Sequence, residues 1–293
     1  MPTALRAQQG IRGPHRSHHA ASVEPNAKTH PRLFTEDGQR KWKVPPHGAK
    51  VEQNTAGNGS WIERWPAPAK PGTATKWVYN YTLEEVQRRA GIKFAENREL
   101  AKHLPQIRAR VREDLGATGK AREVAMVMTL IDKLCLRVGG QESADARDHF
   151  GATTLEKQHV RVDGDTVRLK FTGKSGVPWN VSLKDARLAA EMKRQVGPLR
   201  NKESPVFKVS ADDVNRFLAP FGATAKKFRT FHATRIAREE LLQHAKAPLS
   251  KRAQIVTDMF EKVAEQLGHT PAVARSSYVD PMVVAAFMKG RLA

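Results

Sequence analysis

The spacing of apolar residues predicts that the chain is mostly helical after residue 75. Thr82 followed by Glu85 has the form of a capping box, which predicts a helix from there to about Ala90. A second helix is expected over 105–115. A third is expected over 122–138, ended by Gly139-Gly140, because apolar residues recur there on one helical face: Val124, Val127, Ile131, Leu134 and Val138.

Between residues 159 and 181 the pattern changes from helical spacing to alternation. Two alternating runs, 159–162 and 167–171, flank Asp163-Gly164-Asp165, and an Asp-Gly pair in this position predicts a β-hairpin. A second turn over 172–176 leads into a third run near 179–181. The sequence therefore predicts a three-stranded antiparallel sheet inside the helical part of the chain.

The pattern becomes helical again after this sheet. Ser182 is expected to cap a helix through Lys193, and Ser210 another through Leu218. Two longer helices are predicted over 233–245 and 250–267, and Gly268 has the position of a C-terminal cap.

The first part of the chain has a different pattern. Residues 1–31 are polar and basic, which predicts a disordered tail. Short apolar pieces follow, broken by Pro and Gly, which favour short strands. We therefore expect an α+β protein with a basic tail (1–31), a small β-rich N-terminal domain (32–80) and a mainly helical domain that carries the three-stranded antiparallel sheet (81–293).

The charge balance narrows the choice of partner. Fifty Lys and Arg residues against thirty Asp and Glu give a net charge of +20, which favours a polyanion, above all a nucleic acid. The single cysteine, Cys135, excludes an internal disulfide and a Cys-based zinc cluster. We expect no membrane span, no secretory signal and a cytoplasmic location.

Five short segments carry residues suited to phosphodiester chemistry. In chain order they contain Arg137, Lys174, Arg229, His269 and Tyr278. Their contexts are Leu136-Arg137-Val138-Gly139, Gly173-Lys174-Ser175-Gly176, Lys226-Lys227-Phe228-Arg229-Thr230, Leu267-Gly268-His269-Thr270-Pro271 and Arg275-Ser276-Ser277-Tyr278. In this order and context they resemble the type IB DNA topoisomerases, in particular their poxvirus and bacterial branch, over about residues 77–288.

The resemblance implies a role for each residue. Tyr278 would bond to the 3′-phosphate of one strand and release a 5′-hydroxyl. Arg137, Arg229 and His269 would stabilise the charge on the phosphate oxygens, and Lys174 would protonate the leaving oxygen. The reaction would relax supercoiled duplex DNA without cofactor, nucleotide or metal, and the protein would act in the bacterial nucleoid as a monomer clamped around DNA. No residue is marked as the base for Tyr278.

Basic side chains elsewhere are candidates for contacts to DNA phosphates. They are Arg108, Arg110, Arg112, Lys226 and Lys227. Gly173-Lys174-Ser175 is not a nucleotide-binding loop, because Arg168 occupies the position of its first glycine.

Two alternatives stay open. A tyrosine recombinase uses the same five residue types, although Lys226, three residues before Arg229, stands where recombinases usually have His. A DNA-binding protein that has lost catalysis is the other alternative. The chain also departs from the resemblance in two places: its N-terminal domain is short, and Gly140 stands where relatives commonly have Asn.

Overall fold

A computed structural model describes residues 43, 45–54, 61–67, 75–197 and 201–292. Over these residues the protein is mostly helical, with one three-stranded antiparallel sheet in the helical part, as the sequence predicts. The chain divides into two compact units inside the first long helix, between Ala95 and Glu96. The predicted domain limits stay predictions, and the tail 1–31 lies outside the described residues.

The N-terminal unit contains a small antiparallel sheet of strands β1 (Glu52–Gln53), β2 (Trp61–Pro66) and β3 (Trp77–Tyr81), in that order. Asn80 on its buried face donates a hydrogen bond to Glu63 at 2.8 Å. Its other face carries aromatic side chains, and the Arg64 guanidinium lies 4.3 Å from the Trp77 ring centre. Of the short strands expected before residue 75, β2 is present, whereas β3 lies just after residue 75, where the pattern had already been interpreted as mostly helical.

Helix α1 (Leu83–Asp114) joins two helices that the sequence pattern predicted as separate. Thr82 caps it as expected, since its hydroxyl accepts from the Glu85 N–H. The predicted break was wrong, because Pro105 lies inside the helix. A buried stripe with helical spacing continues through the proline and holds both sides in one helix: Leu100, Leu104, Ile107, Val111 and Leu115.

Helix α2 (Gly119–Leu134) ends four residues before its predicted end. Cys135 adopts a left-handed conformation, with φ 55°, and this stops the helix. Helix α3 (Gln141–Arg147) follows the extended segment that results. The early end matters because it places Arg137 on extended chain rather than on a helix.

The second sheet consists of β4 (Val160–Asp163), β5 (Thr166–Thr172) and β6 (Pro178–Lys184). The Asp-Gly hairpin is confirmed: Gly164 has φ +53° in the turn, and Asp163 pairs with Thr166. Ser182 lies inside β6 and does not cap a helix, so that prediction was wrong. The cap of α4 (Ala186–Val196) is Asp185, whose carboxylate accepts from the Leu188 N–H.

The C-terminal half contains α5 (Ala211–Leu218), α6 (Ala225–Gln243), α7 (Leu249–Leu267), α8 (Pro271–Ser277) and α9 (Pro281–Met288). Ser210 caps α5 and Gly268 ends α7 in a left-handed conformation, both as predicted. The predicted start of α6 at residue 233 was late: the helix begins at Ala225 and includes Arg229. No helix among the described residues has the length and apolarity of a membrane span.

Candidate active site

Tyr278 lies at the C-terminal end of the short helix α8, with its side chain largely buried. Thr270 caps this helix and Pro271 occupies its first turn, so the helix begins at a defined residue. The Tyr278 N–H donates to the Ala274 carbonyl at 3.1 Å. The Tyr278 carbonyl accepts from the Thr234 hydroxyl on α6 at 3.2 Å. The tyrosine backbone is therefore fixed from two sides.

Arg229 lies beneath the tyrosine and is 3% exposed. Its Nη1 donates to the Cys135 carbonyl at the end of α2, and its Nη2 donates to the Leu267 carbonyl at the end of α7 at 2.6 Å. A cation is favoured at these helix ends, where carbonyls lack partners. The guanidinium carbon lies 5.5 Å from the Tyr278 ring centre. Burial lowers the pKa of Arg229 to about 10, so the group keeps its charge at neutral pH.

Arg137 reaches the tyrosine from the extended segment that follows α2. Its Nη1 donates to the Tyr278 hydroxyl at 3.4 Å. The segment is held by pairing with 152–153: the Arg137 carbonyl accepts from the Ala152 N–H at 2.8 Å, and the Val138 carbonyl accepts from the N–H and the hydroxyl of Thr153. This pairing fixes the backbone from which the Arg137 side chain extends.

Two glycines allow this pairing. A Cβ on Gly151 would lie 2.5 Å from the Cα of Gly139, so the two backbones touch and no larger residue fits without a shift. The sequence Gly151-Ala152-Thr153-Thr154-Leu155 does not by itself reveal that it supports the segment of Arg137. Sequence reasoning missed this role.

His269 stacks on the tyrosine, with ring centres 4.9 Å apart and planes 10° from parallel. Its Nδ1 lies 3.2 Å from the Thr270 carbonyl, while its Nε2 is buried without a hydrogen-bond partner in the part of the chain that is described. Burial is the main cause that lowers the pKa of His269 to about 4, and the positive charge of Arg229 is the second. The ring is therefore neutral at pH 7 before any ligand binds.

The Tyr278 hydroxyl experiences two opposing effects. Burial raises its pKa, and the nearby charges of Arg229 and Arg137 lower it. The charges outweigh burial, so the pKa of Tyr278 lies below its ordinary value. A phenol that loses its proton more easily is a better nucleophile at neutral pH.

A buried ionic group lies between α2 and α6, one helical turn from Arg229 along α6. Asp132 on α2 accepts two hydrogen bonds from Arg108, at 2.7 and 3.0 Å, and lies 3.0 Å from His232 Nε2. His232 follows Arg229 by about one turn of α6. Burial raises the pKa of Asp132, but the hydrogen bonds to His232 and Arg108 lower it by more. The net pKa of Asp132 is therefore below its ordinary value. Sequence reasoning missed this group.

Lys174 is separate from the other four predicted residues. It lies exposed in the turn between β5 and β6, and none of the described contacts joins it to Tyr278, Arg137, Arg229 or His269. The turn itself is anchored, since the Gly176 N–H donates to His149 Nε2 at 3.1 Å. The structure thus brings together four of the five residues and places the fifth on a neighbouring loop whose backbone is held.

The predicted phosphate contacts differ in their availability. Arg112 and Lys226 are exposed. Arg108 is engaged by Asp132 and Arg110 by Asp114, while Lys227 donates to the Gly222 carbonyl at 2.9 Å and pairs with Glu96 at 3.2 Å. Their contacts to DNA stay a prediction for all five.

The sequence matches known proteins across the region that contains this site. The model of the family described as eukaryotic DNA topoisomerase I, catalytic core, matches residues 85–286. DNA topoisomerase 1B of Acanthamoeba polyphaga mimivirus is 25% identical over 84% of this chain and 79% of its own length. DNA topoisomerase 1B of Vaccinia virus is 23% identical over 56% of this chain and 53% of its own.

DNA topoisomerase 1 alpha of Arabidopsis thaliana is 25% identical over 80% of this chain, which spans only 26% of the plant protein. The family match itself covers more than half of the chain and includes all the residues of the site described above. The chain therefore belongs to the type IB DNA topoisomerases.

Proposed function

We propose that the protein relaxes supercoiled duplex DNA by breaking one strand with Tyr278, letting the duplex rotate and rejoining the strand. The observation that carries this proposal is the convergence of Arg137, Arg229 and His269 on the Tyr278 phenol. A nucleophile surrounded by fixed donors is what a phosphodiester exchange requires, because negative charge grows on the phosphate oxygens in the transition state.

The proposed cleavage exchanges one ester for another. The Tyr278 phenol gives its proton to solvent water, its oxygen bonds to phosphorus at the 3′ side, the bond from phosphorus to the 5′-oxygen breaks, and Lys174 gives that oxygen a proton. Religation is the reverse: the 5′-hydroxyl attacks the phosphotyrosine and returns its proton to Lys174, and the leaving phenolate takes a proton from water. Because the phosphotyrosine conserves the bond and rotation releases torsion already stored in the DNA, neither nucleotide nor metal enters the scheme.

The two arginines are proposed to hold the non-bridging oxygens. A guanidinium has five N–H donors, and in Arg229 the carbonyls of Cys135 and Leu267 use two of them. The buried Nε of Arg229 has no partner among the described residues. A phosphate oxygen that displaced the groups covering it would satisfy a donor that the free protein leaves unpaired.

The protonation state of His269 decides whether its ring can donate a hydrogen bond to the phosphate. A neutral imidazole has one N–H, and the Thr270 carbonyl favours placing it on Nδ1, which leaves Nε2 as an acceptor. The role of third donor to the phosphate therefore requires a protonated ring or the other tautomer. We propose that the ring becomes protonated when DNA binds, because the negative charge of a bound phosphate raises the pKa of a neighbouring imidazole.

We further propose that the β-rich N-terminal domain and the catalytic domain clamp duplex DNA and that the protein acts as a monomer. The basic composition supports a DNA partner. A tyrosine recombinase would use the same five residue types, and the relatives named above are all called topoisomerases.

Plasmid relaxation in EDTA without nucleotide tests the proposal. The wild-type protein should remove both positive and negative supercoils, and denaturation during the reaction should trap a protein–DNA adduct. Tyr278→Phe, which retains the ring and its stacking on His269, should abolish relaxation and adduct together. A fully active Tyr278→Phe variant would refute the mechanism. Excision or integration between defined sites, with poor relaxation, would instead indicate a recombinase.

A further inference from the structure

Trp179 on β6 has no role in the proposed transesterification, yet its side chain contacts two turns that carry residues of that reaction. The indole is 4% exposed and stacks on Phe171, its direct partner on β5, with ring centres 5.9 Å apart and parallel planes. One edge of the indole lies against the backbone of two glycines far apart in the chain, Gly173 and Gly268. Each of these glycines directly precedes a residue of the proposed mechanism, Lys174 or His269.

The contacts are too close for any side chain at either glycine. A Cβ on Gly173 would lie 2.6 Å from the indole Nε1, and a Cβ on Gly268 would lie 2.7 Å from the indole Cζ2. Both distances are far below ordinary packing contact. The turn that carries Lys174 and the turn that carries His269 therefore rest on the same edge of one ring.

The backbone conformations separate the two glycines. Gly268 has φ +61°, so its left-handed conformation alone favours glycine. Gly173 has φ −93°, which any residue can adopt. At residue 173 it is the indole, and not the backbone, that leaves no room for a side chain.

We propose that Trp179 is a positioning residue that fixes the Lys174 turn relative to His269, and so relative to the phosphate held at Tyr278. The inference rests on the proposed function, because it assigns Trp179 the task of placing the general acid. Lys174 has no described contact to the other four residues, so its place depends on its backbone. A rigid, buried ring that touches both turns supplies that placement.

The test compares Trp179→Leu with a matched truncation on the same strand. Leu183→Ala removes a buried side chain from the same face of β6, but at the end of the strand away from the Lys174 turn. Cleavage is measured under single-turnover conditions on a duplex with the normal 5′-oxygen and on one with sulfur at that bridge. Sulfur leaves with little protonation, so it reports how much of a defect lies in proton delivery.

We expect Trp179→Leu to slow cleavage of the oxygen substrate by roughly 100-fold, the cost of a misplacement of about 1 Å. Most of that loss should disappear on the sulfur substrate. Leu183→Ala, at a comparable loss of unfolding free energy, should keep the wild-type ratio of the two rates. Trp179→Phe, which retains a flat ring, should fall between Trp179→Leu and the wild type.

Gly173→Ala provides a second route to the same question. It inserts a methyl group where the indole lies, at a backbone conformation that alanine tolerates, and should reproduce the sulfur-dependent defect with Trp179 intact. In the double variant with Lys174→Ala, Trp179→Leu should cause no further loss on the oxygen substrate, because there is no acid left to place.

Two results would overturn the inference. One is an equal slowing of Trp179→Leu on the oxygen and sulfur substrates. The other is a full multiplication of the Trp179→Leu and Lys174→Ala effects in the double variant. Failure of the underlying mechanism gives a different signature, since Lys174→Ala alone would then cleave the oxygen substrate normally or show no rescue by sulfur.

Discussion

The Tyr278 cluster, which consists of Arg137, Arg229, His269 and Tyr278, and the turn that carries Lys174 are built in opposite ways. In the cluster, Arg229 is buried and bonded to the carbonyl ends of two helices. In the turn, Lys174 is exposed and its side chain makes no described contact with the cluster. The charges that would hold the phosphate are therefore in place before DNA binds, whereas the proposed proton donor is held only through its backbone.

Arg229 and Lys174 are therefore expected to differ in how much they contribute to the stability of the fold. A preorganised buried cation contributes to the structure as well as to the chemistry, because its removal leaves buried carbonyls without donors. An exposed lysine on a turn contributes to the chemistry alone. Substitutions in the two regions should therefore differ in stability as much as in rate.

Arg229→Ala is expected to have the largest combined effect. It removes a proposed donor to the phosphate, and the loss of such a donor typically costs about 100- to 1000-fold in rate. It also leaves the carbonyls of Cys135 and Leu267 unpaired, which should lower the unfolding free energy by about 1–3 kcal/mol each. Single-turnover cleavage and urea unfolding measure the two effects. A variant of wild-type stability would contradict the structural role assigned to these two bonds.

Lys174→Ala should slow cleavage by about 100- to 10000-fold, the range of general acid catalysis. Its unfolding free energy should stay within about 0.5 kcal/mol of the wild type, because the side chain is exposed. The sulfur-bridged substrate should restore most of the rate. If Lys174→Ala destabilised the protein as much as Arg229→Ala does, the contrast between the two regions would not hold.

Gly151→Ala tests the support of Arg137 without touching a catalytic group. The new methyl group would lie 2.5 Å from the Cα of Gly139, so the segment that carries Arg137 must shift. We expect a loss of about 1–3 kcal/mol in unfolding free energy from overpacking, together with a slower cleavage rate on both oxygen and sulfur substrates. A defect that the sulfur substrate rescues would show that this segment affects proton delivery by Lys174 and not the Tyr278 cluster.

The smallest expected effect is on the pH dependence of stability. The pKa of His269 is lowered to about 4 in the folded protein, against about 6.5 for an unperturbed histidine. The unfolded state therefore takes up the proton first, so stability is full above about pH 6.5 and falls as the pH drops towards 4. His269→Gln should lose less stability than the wild type over this range, in unfolding measured by circular dichroism.

His232 also has a pKa lowered by burial, and it too contributes to the pH dependence of stability. Because His232 is present in both the wild type and His269→Gln, its contribution cancels when the two profiles are compared. Identical pH profiles for the wild type and His269→Gln would show that the His269 ring is not held neutral in the free protein.

Some of the fold was readable from local signals. Gly164 in an Asp-Gly turn, Ser210 as a cap and Gly268 as a helix end each act through their own neighbours, and all three were predicted correctly. The errors arose where distant packing decides. Pro105 stays helical because a buried stripe continues past it, and Asp185 rather than Ser182 caps α4 because β6 extends to Lys184.

The site divides in the same way. Arg137, Arg229, His269 and Tyr278 could be chosen from their order and context, and the structure brings them together. The supporting residues could not be chosen in this way, because Cys135 holds Arg229 through its backbone carbonyl and Trp179 contacts the glycines next to Lys174 and His269, which are far away in the chain. Such roles depend on the folded backbone and produce no recognisable pattern in the sequence.

The covalent linkage provides the most direct test of the account. The protein would be trapped on a duplex oligonucleotide, digested, and the nucleotide-bearing peptide identified by mass spectrometry. The account predicts that the peptide contains Tyr278, joined through its phenolic oxygen to a 3′-phosphate, with a free 5′-hydroxyl on the other strand end. A link to any other side chain, a link to the 5′ end, or a nick with no attached peptide would contradict it.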